Sequence, residues 1–133
     1  MFNKEFYPTP KWLIKKMLDS IDIKKVKYIL EPSAGKGDII DEIKEKYDNC
    51  YGYRYSKSDV DIDAIEVDDN LRLLLKGKEY KVVHNDFLKF NTYKKYDLIV
   101  MNPPFSCGDK HLLKAIEMQK DGGAIICLSP QEN

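Results

Sequence analysis

The segment Asn102-Pro103-Pro104-Phe105 carries the most specific chemistry in the chain. Two successive prolines fix φ and remove two N–H donors. Asn102 stands before a proline and is biased to an extended backbone. What remains is stiff and rich in acceptors: the Asn102 side-chain oxygen and the proline carbonyls. Such acceptors suit a substrate amine with two hydrogens, and Phe105 offers a flat face to a base or a cation. The alternative is a strand-ending turn.

A second segment, residues 31–38, reads Glu31-Pro32-Ser33-Ala34-Gly35-Lys36-Gly37-Asp38. Its two glycines let a ligand approach the backbone. The phosphate-binding patterns do not fit. Leu30 stands where a Walker A loop needs glycine, and Gly37 follows Lys36 in place of Ser or Thr. Ile40 occupies the third glycine position of a dinucleotide fingerprint. Glu31 and Asp38 repel pyrophosphate and suit a ligand with an amine or a positive charge. A tight turn without a ligand is the plainer reading.

Two further acids complete the set. Glu66, in Ala64-Ile65-Glu66-Val67-Asp68, can accept two hydrogen bonds from a ribose diol. Asp86, in His84-Asn85-Asp86-Phe87-Leu88, can accept from an adenine amine, with Phe87 packed on the ring. Either acid alone is as readily a helix N-cap or a turn residue. Both fall at strand ends, which favours a shared site.

The elements that must position these residues alternate. Residues 9–21 read as a helix with Thr9 as N-cap and Pro10 as first helical residue. Trp12, Leu13, Ile14, Met17 and Ile21 supply its apolar stripe. Residues 26–31, 61–66, 80–84, 96–101 and 123–129 read as strands. Residues 38–47, 68–75 and 108–119 read as helices, while residues 48–60 form a polar, tyrosine-rich loop. Strand three runs into a loop rather than a clear helix. The alternation predicts an α/β domain with a mostly parallel sheet and right-handed crossovers. Ligands then sit outside the carboxyl ends of the strands, where all four segments lie.

Composition bounds the rest. The chain has 133 residues, 43% apolar, with 22 basic and 22 acidic side chains. That length supports one domain with one real core. No apolar run approaches the ~20 residues of a membrane span, and the first ten residues lack the apolar stretch of a signal peptide. Cys50, Cys107 and Cys127 are too scattered for a disulfide framework or a CxxC metal site, so a reducing cytoplasm is expected. Zero net charge excludes binding to nucleic acid by overall field alone. A local basic face remains open, because the first 29 residues hold seven lysines against Glu5, Asp19 and Asp22. His84 and His111 lack partners at ligand spacing and read as structural or surface residues.

Taken together, the motifs resemble the catalytic core of class I S-adenosylmethionine-dependent methyltransferases, and within them the DNA adenine-N6 methyltransferases. Asn102–Phe105 is similar to that family's (Asp/Asn/Ser)-Pro-Pro-(Tyr/Phe/Trp) motif, residues 31–37 to its glycine loop, Glu66 to its ribose acid and Asp86 to its adenine acid. Phe6-Tyr7-Pro8-Thr9-Pro10 resembles the segment that closes over the methionine end of the cofactor. Its place ahead of the glycine loop matches the gamma order of motifs. The resemblance spans residues 6–129. It implies a Rossmann-like three-layer sandwich of strand order 3-2-1-4-5, preceded by a helix, with S-adenosyl-L-methionine as cofactor and no metal. It implies cofactor contacts from Tyr7, Thr9, Glu31, Pro32, Ser33, Ala34, Gly35, Gly37, Glu66, Val67, Asp86, Phe87 and Asn102. Catalysis falls to Asn102, Pro103, Pro104 and Phe105, acting on an adenine flipped out of duplex DNA. RNA or a protein amide is the alternative substrate, and a cofactor-binding module inactive without a partner is the alternative class. Residues 1–133 then form one domain without a target-recognition domain, cut short after strand five. Target recognition is then either absent or supplied by a partner or second chain, and restriction–modification is one role this implies.

Overall fold

The computed structural model describes residues 9–51, 60–102 and 108–127. Its elements follow the expected alternation: α1 (Lys11–Leu18), β1 (Tyr28–Glu31), α2 (Asp38–Tyr51), β2 (Asp61–Ile65), α3 (Asp69–Gly77), β3 (Lys81–His84), β4 (Tyr96–Met101), α4 (Gly108–Met118) and β5 (Gln119–Cys127). Short 3-10 turns occupy Ile23–Lys25 and Phe87–Lys89. All strand pairs are parallel, in the order β3-β2-β1-β4-β5. This is the order that the resemblance implies. Every crossover returns the chain to the same edge, so β1, β2, β3 and β4 end side by side.

Strand alternation divides the core. Ile29, Leu98 and Val100 face one side, where Ile14 and Leu18 of α1 and Ile39, Ile40 and Ile43 of α2 cover them. Leu30, Ile99 and Met101 face the other, against Phe87, Phe90, Ala115 and Met118. Strands covered on both faces carry continuous apolar runs, which is why Tyr96–Met101 is almost wholly apolar. Each fully buried Ile or Leu contributes roughly 1.5–3 kcal/mol.

Acids at the entry ends of the strands serve the fold. Asp63 is buried, receives the Tyr96 hydroxyl at 2.7 Å and pairs with Lys81 at 2.8 Å and Lys94 at 2.9 Å. Asp97 accepts from the Lys27 and Tyr28 backbone N–H groups at 3.1 and 2.9 Å, fixing the start of β1 on β4. Among the described residues no helix is long and apolar enough to cross a membrane, and no group of three His, Cys, Asp or Glu side chains is placed to hold a metal.

Several expected boundaries shift. Pro10, not Thr9, is the N-cap of α1, and the cap lacks a side-chain hydrogen bond. Ile14 and Leu18 form the buried side of α1, whereas Trp12 is 66% exposed and lies off the apolar stripe. Helix α2 runs to Tyr51, taking in the start of the expected 48–60 loop. Strand β5 begins at Gln119 directly after α4 and reaches Cys127. Residues 128 and 129 of the expected strand lie outside the described residues.

Candidate functional site

Three of the four strand ends meet in one hydrogen-bonded rim. At the end of β1, Glu31 Oε1 accepts from the Ser33 backbone N–H at 2.9 Å and from its hydroxyl at 3.3 Å. The Ser33 oxygen in turn accepts from the Asn102 backbone N–H at 3.0 Å, tying the end of β4 to the glycine loop. The side-chain amide of Asn102 donates through Nδ2 to Thr9 Oγ1 at 3.3 Å. Thr9 thus bonds the Asn102 amide instead of capping α1. With Nδ2 turned to Thr9, the acceptor Oδ1 lies on the other side of the amide.

The glycine loop is fastened to the end of β2. Ala34 N–H donates to the Ile65 carbonyl at 2.9 Å, and Gly35 N–H donates to Glu66 Oε1 at 2.7 Å. Glu66 Oε2 accepts from Asp68 N–H at 2.8 Å. The buried Glu66 carboxylate therefore holds two loops in place, and each oxygen keeps a further lone pair. Gly35 and Gly37 both adopt the left-handed conformation, at φ 59° and 95°. A Cβ on Gly37 would come within 2.9 Å of the Tyr80 ring, so this glycine serves helix–sheet packing as well as the turn.

Glu31 is the unusual charge. It is wholly buried, and that desolvation, above all, pushes its carboxyl up to about 8. The hydrogen bonds from Ser33 act against this, and the nearby charge of Glu66 adds to it. Its second oxygen, Oε2, is buried and has no hydrogen-bond partner among the described residues. A buried acceptor left open costs about 1–3 kcal/mol. It suits a donor that is itself positive, such as a ligand ammonium.

Asp86 stands apart. Its Oδ1 caps the 3-10 turn by accepting from Leu88 N–H at 3.0 Å, and its own N–H donates to His84 Nδ1 at 2.9 Å. No hydrogen bond among the described residues joins it to Glu31, Glu66 or Asn102. Phe87 is only 2% exposed and packs in the core, its ring 5.5 Å from that of His111, so it shows little face to the rim. Pro32 is buried, and Val67 is 71% exposed beside Glu66. Tyr7, Pro103, Pro104 and Phe105 lie outside the described residues.

Two supports were not anticipated from the motifs. Arg72 donates to the Glu66 and Val67 carbonyls at 2.9 and 2.8 Å and also engages Asp69, bracing the loop that carries Glu66. Lys78 donates to the Lys36 carbonyl at 2.8 Å from the far end of α3. Arg72 lies six residues after Glu66, within reach of a returning helix. Lys78 lies 42 residues from Lys36, and no local pattern signals that pairing. An open cleft of about 460 Å³ lies elsewhere, lined by Lys27, Tyr28, Lys44, Asp61, Tyr80 and Lys81. It sits at the entry ends of the strands, holds none of the rim residues and lies at the wrong edge for a switch-point ligand.

Comparison with known proteins agrees with this fold. The methyltransferase small domain family matches residues 11–125. A type II methyltransferase, M.CvrRI, of Paramecium bursaria Chlorella virus XZ-6E is 31% identical over 78 residues, which are 58% of this chain and 18% of that protein. The chain therefore spans less than a fifth of that curated relative. Among solved structures, a type I restriction–modification methyltransferase subunit from Streptococcus thermophilus superposes with TM-score 0.66 at 20% identity, over 95% of this chain and 35% of that one. An O-methyltransferase from a trans-AT PKS multienzyme of Brevibacillus brevis, in complex with S-adenosyl-L-homocysteine, superposes with TM-score 0.67 at 14% identity, over 90% and 40%. At these identities the likeness of the structures is one of fold.

Proposed function

The chain belongs to the methyltransferase small domain family, and from that premise we propose that it is an S-adenosylmethionine-dependent methyltransferase acting on the N6 amine of adenine in DNA. The observation that carries the reading is the hydrogen-bonded path Glu31–Ser33–Asn102–Thr9. It couples the glycine loop to the first residue of Asn-Pro-Pro-Phe. The viral type II methyltransferase and the type I restriction–modification subunit support a DNA substrate.

The residues present fit the cofactor. The unpartnered Glu31 Oε2 is available to an ammonium, the spare lone pairs of Glu66 to a ribose hydroxyl, and the second lone pairs of Asp86 to an adenine amine. When bound, S-adenosylmethionine supplies a methyl group already activated by a sulfonium. The task left to the protein is to align a poor nucleophile, because the adenine lone pair is conjugated into the ring. Asn102 Oδ1 and the Pro103 carbonyl hold the two hydrogens of the amine. That favours a pyramidal nitrogen whose lone pair points at the methyl. Thr9 fixes which end of the Asn102 amide faces the substrate, and Phe105 stacks on the base, swung out of the duplex. Transfer would form the N–C bond at the expense of the cofactor's S–C bond, whose electron pair would leave with the bound cofactor. The methylated amine then loses one proton to water, so no strong base is needed.

The test is to incubate the purified chain with S-adenosylmethionine labelled in the methyl group and, in parallel, adenine-containing DNA, RNA of the same sequence or a protein mixture, then digest and identify the labelled group. Label in N6-methyladenine is expected. Label only in RNA or protein would move the reading to those substrates. Cofactor binding without transfer would leave a binding module.

A further inference from the structure

Trp12 is the one tryptophan of the chain, and it is 66% exposed. It lies in the first turn of α1, three residues after Thr9, whose hydroxyl holds the Asn102 amide. Three residues span at most about 10 Å even when extended, so the backbone of Trp12 lies within that distance of Thr9, at the start of the helix that leads away from it and the candidate target site. Helical periodicity sets it opposite Ile14 and Leu18, which are buried. Lys16, four residues on, shares that outward face.

The charge around it is one-sided. Residues 9–29 hold six lysines and only two acids, Asp19 and Asp22, in a chain of zero net charge. Lys11 and Lys15 lean to α2 and pair with Glu42 at 3.5 and 4.0 Å. Lys16 makes no ion pair among the described residues. An exposed indole flanked by a cation, on a locally basic helix beside the target residue, matches what a nucleic-acid strand needs: a stacking platform and a phosphate contact.

We propose that the outer face of α1 is a DNA contact, in which Trp12 stacks on the base face bared beside the target adenine when it leaves the stack and Lys16 meets the adjoining phosphate. This rests on the DNA reading above and adds residues that lie outside the cofactor and methyl-transfer machinery.

The experiment is a titration of the full chain, saturated with S-adenosylmethionine, with a fluorophore-labelled single-stranded adenine-containing DNA. Anisotropy of the label reports binding, and the single tryptophan reports contact. Binding should quench the tryptophan emission. Trp12→Ala should raise the DNA Kd about tenfold, and Trp12→Phe should recover most of that loss. Lys16→Ala should lower the slope of log Kd against log salt by about 0.7. Cofactor affinity, read by calorimetry, should stay unchanged in all three variants. Binding seen by anisotropy without quenching, or a Trp12→Ala Kd within twofold of the parent, overturns this contact. Methyl transfer to adenine continuing in that variant would show that the functional reading survives. No DNA binding by the parent, or tenfold tighter binding to RNA of the same sequence, overturns the DNA contact itself.

Discussion

Raising the pH from about 5 to about 8 should destabilise the cofactor-free fold through one side chain, Glu31. Its carboxyl is wholly buried, and burial lifts it from an ordinary 4.5 to about 8. The folded chain therefore holds this proton more tightly than the unfolded chain does. The stabilisation is fully present below about 4.5 and is lost as the pH rises through about 8. One pH unit across that gap is worth about 1.4 kcal/mol, so the whole span amounts to on the order of 5 kcal/mol. That is a large share of the ~5–15 kcal/mol of a typical domain. The assay is chemical denaturation at about one-unit pH intervals, on the parent and on Glu31→Gln. The amide keeps the acceptor for Ser33 and does not ionise. The parent should lose stability steadily across the window, while Glu31→Gln stays nearly flat and overtakes it near pH 8. Saturating S-adenosylmethionine should shallow the slope of the parent, because an ammonium at Oε2 favours the ionised form. Parallel profiles for the two proteins would refute the reasoning.

Asn102→Ala should abolish methyl transfer while changing cofactor affinity by less than about threefold, read by labelled transfer and calorimetry; equal loss of both would remove its proposed role. Glu66→Ala should cost about 1–3 kcal/mol of stability, because the Gly35 and Asp68 N–H groups lose their acceptor. It should also weaken cofactor binding, and unchanged affinity in a calorimetric titration would count against the ribose assignment. Gly37→Ala should lower the melting temperature clearly, through its positive φ and the Tyr80 ring. Gly77→Ala, whose Cβ would enter open space, is the control and should be neutral or slightly stabilising.

The parts of this molecule that could be read in advance are those set by local periodicity and by the rule that ligands gather at strand ends. The apolar run of β4 marks a strand buried on both faces, and the placement of Glu31, Glu66 and Asn102 follows from alternation alone. What escaped depends on distant partners. Thr9 carries the side chain of a helix cap, yet it bonds an amide 93 residues away. Trp12 looks like core by its type, but the burial of α1 is settled by which side meets α2 and the sheet. Glu31 has ordinary neighbours in sequence, and only the closing of two helical layers removes it from water. Arg72 and Lys78 act on backbone carbonyls, which no side-chain motif advertises.

The reach of the rim has a kinetic consequence. Strands β1, β2 and β3 are laid down as successive neighbours, but β4 must add to the far side of β1. The bonds from Asn102 to Ser33 and Thr9 close loops of 69 and 93 residues. Contacts this distant in sequence are the slow ones in folding, since loop closure precedes any compensating contact. The three-strand half of the sheet can thus gather first, with the Glu66 side of the rim, and Asn102 joins only as β4 docks. Competence for chemistry then waits on the docking of β4, and its undocking would part Asn102 from Ser33 and Thr9 while β1, β2 and β3 still stood together.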